Sequence, residues 1–459
     1  MDLMKIYNKS PIFVQNILTS LQGLLYKRQR YGKEYYKHKK AILKRDYSDP
    51  ESISKIQEKL FLDYIKYAVN YSPFYKESYT NIDISQIKSL GDLSKLPILD
   101  KETLRTNISN IYAHLDKSII MSTSGTTGKT INILVSLKDL QHRMAYLDAF
   151  KEKHGFINLK MKRATFNSSK IIPPNNRHNI FSRSNFFMKQ RIYSGYHCNY
   201  DNIKYYIEDL NKYKPDSIDG LPSVIYKIAK YIVDNNIKLS FHPIAIFPTA
   251  ETLLPHYRSA IETAFKCKIY DQYSSTEASP FIVECKHGNL HYRKDTGIIE
   301  RTDTGQILVT CFYSNSTPLI RYNIGDVVGQ ISESFCNCGD KSPIVENLQG
   351  RSTDYLVTET GDHLSSLFLS LVSQSFDNCI IEMQFVQNTR NSILVNVVAD
   401  DRFNSDMSNV IINKLNYSMG KSMNITVKRV NHIDKKGAKH PLIINNLREE
   451  GVNEERNDV

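Results

Sequence analysis

Apolar residues recur every three or four positions in the first part of the chain: Ile53, Ile56, Leu60 and Phe61, then Tyr64, Ile65, Ala68 and Val69, up to Ser72-Pro73. That spacing lines one face of a helix, and the proline ends it. Residues 1 to about 90 are therefore expected to form a largely helical N-terminal cap. From Ile119 onward the period changes. Ile131–Val135 and Ile244–Phe247 read as strands, while Leu140–Phe150, Ile203–Leu210, Val224–Val233 and Tyr257–Phe265 read as helices between them. Such alternation predicts an α/β fold with layered, largely parallel sheets.

Between Asn289 and Val328, turns at Gly297, Gly305 and Gly325 separate short β-rich runs, which predicts an antiparallel subdomain. Asn167–Asn179 is mostly polar and is expected to be a loop near a site mouth. Near Gly350 a second unit begins. Ile380–Val386 and Ile393–Val398 pair as strands across Asn388–Asn391, Val410–Leu415 reads as a helix and Ile425–Val430 as another strand. The expected division is a large domain over 1–350 and a small, mobile α+β domain over 351–459, with a polar tail after Leu447 that frays.

The 459 residues are enough for two or three domain-sized units, and 41% hydrophobic content permits large cores. No stretch approaches the roughly 18 apolar residues of a membrane helix, and the opening segment lacks the apolar run of a secretory signal. A cytoplasmic enzyme, monomer or homodimer, is expected. The formal charge is +12, but lysines and acids are interspersed through the first 100 residues, which suits an anionic small substrate better than nucleic acid. Seven cysteines without a secretory signal argue against a disulfide framework. Trp is absent, and 29 Tyr and 19 Phe carry the aromatic packing.

Ser122-Thr123-Ser124-Gly125-Thr126-Thr127-Gly128-Lys129-Thr130 is the densest chemical signal. Gly125 and Gly128 allow amide groups to face one side, hydroxyls donate, and Lys129 adds charge, so the run suits a phosphate. It misses the eight-residue phosphate loop of kinases, because Thr123 stands where a glycine is needed. Pro248-Thr249-Ala250-Glu251 and Tyr270–Glu277 each follow a strand, where ligands collect in open α/β sheets. Arg321–Asp326 and Gly350–Asp354 follow. All are expected to converge on one site.

Together these runs, with Tyr71–Tyr75 and Leu93–Lys101, resemble the adenylate-forming enzymes, in the branch of phenylacetate-CoA ligase, coenzyme F390 synthetase and the capsule-biosynthesis CapK-like proteins. The resemblance implies that Thr123, Ser124, Gly125, Thr126, Thr127, Gly128 and Lys129 contact the β and γ phosphates of ATP. It places Thr249, Ala250 and Glu251 beside adenine with Tyr273 stacked on the base, and Ser274 and Ser275 in the same nucleotide-binding run. Thr276 would hydrogen-bond the α-phosphate, Glu277 would coordinate Mg²⁺, Asp326 would accept from the ribose hydroxyls and Arg351 would steady ribose or phosphate. Lys439 would be the catalytic lysine over the carboxylate, although the glycine expected before it is Ala438, and Lys435 and Lys436 compete for the role.

The implied reaction is ATP-dependent activation of a small carboxylic acid as its acyl-adenylate, with transfer to coenzyme A or another acceptor, in capsular or surface polysaccharide modification. AMP transfer to a non-carboxylate acceptor, or a nucleotide-responsive partner without catalysis, are the alternatives. Cys285, His291, Cys336 and Cys338 are ligand types that tetrahedral Zn²⁺ accepts, with His287 able to replace His291. A metal there would be structural, pinning β-rich loops. Cys198, Cys267, Cys311 and Cys379 are expected to be packing residues.

Overall fold

A computed structural model describes residues 3–113, 117–122, 131–167, 171–173, 178–195, 197–198, 200–351, 355–359, 363–365, 369, 379–420, 422–433 and 441–447. The chain opens with helices α1 (Leu3–Lys9), α2 (Ile12–Arg30), α3 (Lys33–Leu43) and α4 (Pro50–Tyr71). Asp49 caps α4 by accepting from the Ser52 amide at 3.1 Å, and Pro50 occupies the first turn, where no helical bond needs its missing N–H. Ile53, Phe61, Tyr64, Ile65 and Ala68 are buried, as the periodicity predicts. The helices do not form a separate cap. Gln57 donates to Tyr292 Oη and to the Gly297 carbonyl, both at 2.8 Å, and Tyr64 Oη donates to the Ser314 carbonyl at 3.1 Å. These bonds build α4 into one apolar core with the β-rich part of the chain.

Short helices α5 (Pro73–Ser78), α6 (Lys101–Thr106) and α7 (Ile108–Ile111) lead to an antiparallel hairpin of β1 (Ser118–Ser122) and β2 (Asn132–Ser136), then to α8 (Leu137–Lys153). Strands β3 (Arg163–Asn167), β4 (Ser182–Asn185), β5 (Gln190–Ser194), β6 (Ser217–Gly220), β7 (Ala245–Pro248) and β8 (Lys268–Ile269) follow, with helices α9 (Ile203–Tyr213), α10 (Pro222–Asp234) and α11 (Pro255–Phe265) between the later ones. They form a six-stranded sheet in the order β4-β5-β3-β6-β7-β8, parallel except for the edge strand β4. This is the expected α/β unit on a largely parallel sheet.

Next come β9 (Gln272–Tyr273), β10 (Ile282–Glu284), β11 (Leu290–Tyr292), β12 (Gly297–Arg301), β13 (Gln306–Cys311), β14 (Tyr322–Val328), β15 (Ile331–Ser332), β16 (Ile344–Val345) and β17 (Leu348–Arg351). They make two antiparallel sheets, β15-β16-β11-β10-β9 and β12-β13-β14-β17. Leu99 joins the second by exchanging backbone bonds with Arg321 and Asn323 at 3.1 and 2.9 Å. After the hairpin β18 (Tyr355–Val357) and β19 (His363–Ser365), strands β20 (Ile380–Thr389), β21 (Ser392–Ala399), β22 (Asn424–Arg429) and β23 (Ile443–Asn445) form a mixed sheet. It packs with α12 (Ser405–Met419) around its own core, from Leu356 to Ile443. An ion pair between Lys227 on α10 and Glu382 on β20 bridges this core and the α/β unit.

Two helices bury polar faces. On α8, Asp139, Arg143, Asp148 and Lys151 lie inside with Leu140, Tyr146 and Phe150. Asp139 accepts from the Asn315 side chain at 2.6 Å and its amide at 2.9 Å, and Asp148 accepts from Tyr35 Oη at 2.9 Å and Asn158 at 2.8 Å. Lys151 reaches Asp219 at 3.3 Å. On α2, the buried residues are Gln15, Thr19, Ser20 and Gly23. Arg183 donates to Gln15 at 2.6 Å, the Ser184 amide donates to Asn16 at 2.9 Å, and Ser20 donates to the Ser184 carbonyl at 3.2 Å.

Gly220 ends β6 with φ +130°, and a Cβ there would stand 1.9 Å from the Phe166 carbonyl oxygen on β3. Gly220→Ala should therefore lower unfolding stability by more than about 2 kcal/mol, read as a drop in the urea midpoint at unchanged slope. A midpoint equal to that of the parent chain would show that β3 and β6 part more readily than their register implies.

Candidate functional site

Parallel strands β6 and β7 end side by side, with Gly220 opposite Pro248. Their carboxyl ends put Thr249, Ala250 and Glu251 next to the start of α10. The Thr249 amide donates to the Gly220 carbonyl at 2.9 Å, and Glu251 accepts from the Ser223 amide in the first turn of α10 at 3.1 Å. A carboxylate at that end is favoured by the orphan amides and the helix dipole. Thr249 and Ala250 are exposed, and Ala250 adopts φ +69°, a conformation that a non-glycine residue holds only under constraint from its surroundings.

Gln272 on β9 donates to the Pro248 carbonyl at 3.2 Å, which fastens the Tyr270–Glu277 run beside Thr249. One residue on, Tyr273 Oη donates to Asp326 on β14 at 2.6 Å. Burial, followed by the Asp326 charge, pushes the Tyr273 hydroxyl well above its ordinary pKa, so it stays a donor at all ordinary pH. Asp326 is opposite Arg351 in the β14–β17 ladder. Four of the runs singled out in the sequence thus meet through consecutive contacts: Gly220 to Thr249, Pro248 to Gln272, Tyr273 to Asp326, and Asp326 to Arg351.

The turn after β9 is held from beneath. Arg143 Nη1 donates to the Thr276 carbonyl at 2.8 Å and Nε to the Tyr313 carbonyl at 2.9 Å. Ser275 and Ser279 hydroxyls lie 2.7 Å apart, and Ala278 takes φ +65°. Thr276 and Glu277 are partly exposed, Ser274 fully. Arg143 has no counterpart among the residues read from the sequence. The periodic reading of Leu140–Phe150 as a helix carried no signal for it, because α8 has charged residues on both faces.

Ser122 and Asn132 are paired in register at the end of the β1–β2 hairpin, with their side chains 2.8 Å apart. The phosphate-type run they bracket, Thr123, Ser124, Gly125, Thr126, Thr127, Gly128, Lys129 and Thr130, lies outside the described residues. So do Lys435, Lys436 and Lys439, between Ile433 and Pro441, and Ser352, Thr353 and Asp354 after Arg351. The hairpin is tied to the loop after β13, which Arg143 also bonds at Tyr313: Leu134 exchanges two hydrogen bonds with Thr317 Oγ1 at 3.0 and 2.9 Å, and Ser118 and Ser316 hydroxyls are 2.8 Å apart. Arg321, by contrast, is structural. It forks onto Glu300, with contacts of 2.8 to 3.1 Å, and takes no part in the cluster.

Behind the site, Glu284 accepts from the Asp271 amide and from Arg258, both at 2.7 Å. Burial, with the neighbouring Glu284 charge second, pushes the Asp271 carboxyl up to about 6.

The cysteine-histidine set assembles on the β15-β16-β11-β10-β9 sheet. Cys285, His291, Cys336 and Cys338 place their donor atoms within 4.8 Å of one another. Cys285 and Cys336 sulfurs are 3.7 Å apart, and Cys338 Sγ is 3.4 Å from His291 Nε2. A tetrahedral zinc ion, with S and N ligands at about 2.3 and 2.1 Å, needs edges of about 3.8 and 3.6 Å. His291 is fully buried, and its Nδ1 lies 3.0 Å from the Ser342 carbonyl, the arrangement that donates there and turns Nε2 toward the sulfurs. Burial opposes ionisation of Cys336, but the Cys338 amide and the Asn289 side chain hold its thiol down to about 6. The four residues therefore fit a closed structural metal site, and the exposed His287 takes no part in it. Of the other cysteines, Cys198, Cys311 and Cys379 are buried and Cys267 is packed against the α/β core, as expected.

Comparison with known proteins follows the same lines. Residues 356–446 match the CapK C-terminal domain. Over 454 residues the chain is 37% identical to the protein CapK of Staphylococcus aureus, covering 96% of this chain and 99% of the relative. Among solved structures, 2-hydroxyisobutyryl-CoA ligase in the postadenylation state with an acyl-AMP superposes with a TM-score of 0.67 at 16% identity, covering 87% of this chain and 90% of the ligase. The same ligase with 2-HIB-AMP and CoA in the thioesterification state gives a TM-score of 0.52 with the same identity and coverage. The likeness shows the fold: that of the adenylate-forming CoA ligases, with a C-terminal domain.

Two measurements test the chemistry of this region. Elemental analysis of the purified chain should find about one zinc per chain, and Cys336→Ser should abolish it; an iron or empty preparation, or zinc retained by the variant, would refute the assignment. Because the folded Asp271 pKa is raised, the native state holds its proton longer than the unfolded chain does, so this group makes stability fall as pH rises from about 4 to about 6 and leaves it flat above. Asp271→Asn should remove that segment of the denaturation profile, and an unaltered profile would show that Asp271 ionises normally.

Proposed function

The chain belongs to the CapK family, and from that premise we propose that it uses ATP to activate a small carboxylic acid as its acyl-adenylate, releasing pyrophosphate. The acyl group then passes to the thiol of coenzyme A or to another nucleophilic acceptor. The observation that carries the reading is the continuous contact path from Thr249 through Gln272 and Tyr273 to Asp326, which brings residues of three sheets together. The fold it shares with 2-hydroxyisobutyryl-CoA ligase supports it.

In this reading Thr249, Ala250 and Glu251 border the adenine. The strained turn at Ala250 keeps the backbone there open to a planar base. Tyr273 presents its ring, while its hydroxyl anchors Asp326, the residue assigned to accept from the ribose hydroxyls. Thr276 donates to the α-phosphate from a turn whose carbonyl is fixed by Arg143, so the donor needs no rearrangement as charge develops. Lys129 and the hydroxyls from Thr123 to Thr127 follow the departing pyrophosphate, and Arg351 steadies the nucleotide. Glu277 is the residue assigned to hold Mg²⁺, which supplies charge neutralisation at the phosphates. Lys439 is assigned to the carboxylate and α-phosphate during adenylation. A zinc held by Cys285, His291, Cys336 and Cys338 would pin loops and take no part in the chemistry. The family setting extends the proposal to modification of a capsular or surface polysaccharide.

Acid-dependent exchange of labelled pyrophosphate into ATP, run across a panel of small carboxylic acids, tests the reaction. Lys439→Ala should reduce exchange to background, and Glu277→Gln should reduce it roughly a hundredfold with circular dichroism unchanged. Full exchange by Lys439→Ala would transfer the role to another lysine. Absence of exchange with every acid would overturn the reaction, and AMP incorporation without any carboxylate would assign the site to AMP transfer.

A further inference from the structure

Helix α2 is inside out. Its buried positions are the polar Gln15, Thr19, Ser20 and Gly23, whereas Phe13, Ile17, Leu21 and Leu25, one per turn, face solvent at 66, 50, 50 and 58% exposure. A helix packed on a domain ordinarily does the opposite. The inversion is built in by α2's polar footing on β4, where Gly23 lets the helix approach Asn185 so closely that a Cβ would stand 2.1 Å from its side-chain oxygen. Beside the helix, the turn that starts with Phe186, whose amide donates to Ser20 at 3.1 Å, adds the exposed rings of Phe186 and Phe187 at 66 and 44%. These apolar side chains are left exposed by the other described residues of the chain.

Charge identifies what covers it. From residue 3 to residue 33 the sequence has six bases, Lys5, Lys9, Lys27, Arg28, Arg30 and Lys33, and no acid. Charges are interspersed, as first read, only from Glu34 onward. The bases fall at the two ends of the apolar band, and Arg30 lies over the Tyr26 ring at 4.9 Å, an amphipathic pair of the kind that sits at a lipid headgroup. A second copy docked on this face would set these cations against their own copies. No described helix is long and apolar enough to cross a membrane. The geometry points to α2, with Phe186 and Phe187, as an interfacial anchor that lies on an anionic lipid surface, its apolar side chains among the acyl chains and its bases on the headgroups.

The full chain should co-sediment with vesicles of equal parts phosphatidylcholine and phosphatidylglycerol, lose that binding at high salt, and leave phosphatidylcholine vesicles unbound. Leu21→Glu with Leu25→Glu should lower partitioning at least roughly tenfold. Lys27→Gln with Arg28→Gln should weaken it roughly tenfold or more on anionic vesicles. All four positions are surface positions, and circular dichroism and thermal midpoint should match the parent chain. No vesicle binding by the parent chain, equal binding to both vesicle types, or undiminished binding by the leucine variant would overturn the anchor. A concentration-dependent dimer in sedimentation that the leucine variant abolishes, with no vesicle binding, would assign the face to a second copy.

Discussion

Everything that positions the candidate site depends on the charges that α8 carries into the interior. Arg143 is buried and donates from Nε and Nη1 to the carbonyls of Tyr313 and Thr276, which belong to two different β-rich segments. Asp139, one turn earlier, fixes Asn315 in the same loop, and Asp148 and Lys151 fix Tyr35 and Asp219 on either side. One helix therefore sets the spacing between the N-terminal helices, the parallel sheet and the turn that bears Thr276 and Glu277. Apolar packing alone would tolerate sliding of these layers; directional bonds to named carbonyls do not.

On that frame the described site residues lie in strands or close to their ends. β6 and β7 present Thr249 and Glu251, β9 presents Tyr273, and β14 presents Asp326, each within three residues of a ladder pair. Such placement limits the freedom of the contacting groups, and a preorganised donor or acceptor is what an electrostatically stabilised transfer needs. The cysteine-histidine cluster belongs to the neighbouring sheet, with β11 carrying His291 and the 336–338 turn carrying two thiols. Cross-linking these elements around one ion would stiffen the sheet whose edge strand is β9.

The elements with a clear period were legible: α4, α8, α10 and the β20–β21 hairpin occur where apolar spacing puts them, because burial of one face governs each. The motifs carried the expectation that Thr249, Tyr273 and Asp326 converge, although they come from three different sheets, β7, β9 and β14. What stayed hidden was orientation. Leu140–Phe150 reads as an apolar stripe, and nothing local says that Asp139, Arg143 and Asp148 turn inward too. Spacing could not separate His287 from His291; the register that sets Val283 opposite His291 does. The helical segment before residue 90 reads as a cap because its partners lie more than 100 residues away, at Gln141 and Asp148 for α3 and from Tyr292 to Pro318 for α4 and α5.

The footing of α2 carries the same long separation into synthesis. Its hydrogen bonds reach residues 164 and 168 positions later in the chain, and no apolar face of its own is available to dock it sooner. At about 5 to 20 residues per second, the helix emerges roughly ten to thirty seconds before β4 exists to receive it. Through that interval the stripe from Phe13 to Leu25 is without its footing on the nascent chain, available to a chaperone or a bilayer before β4 is there to orient it.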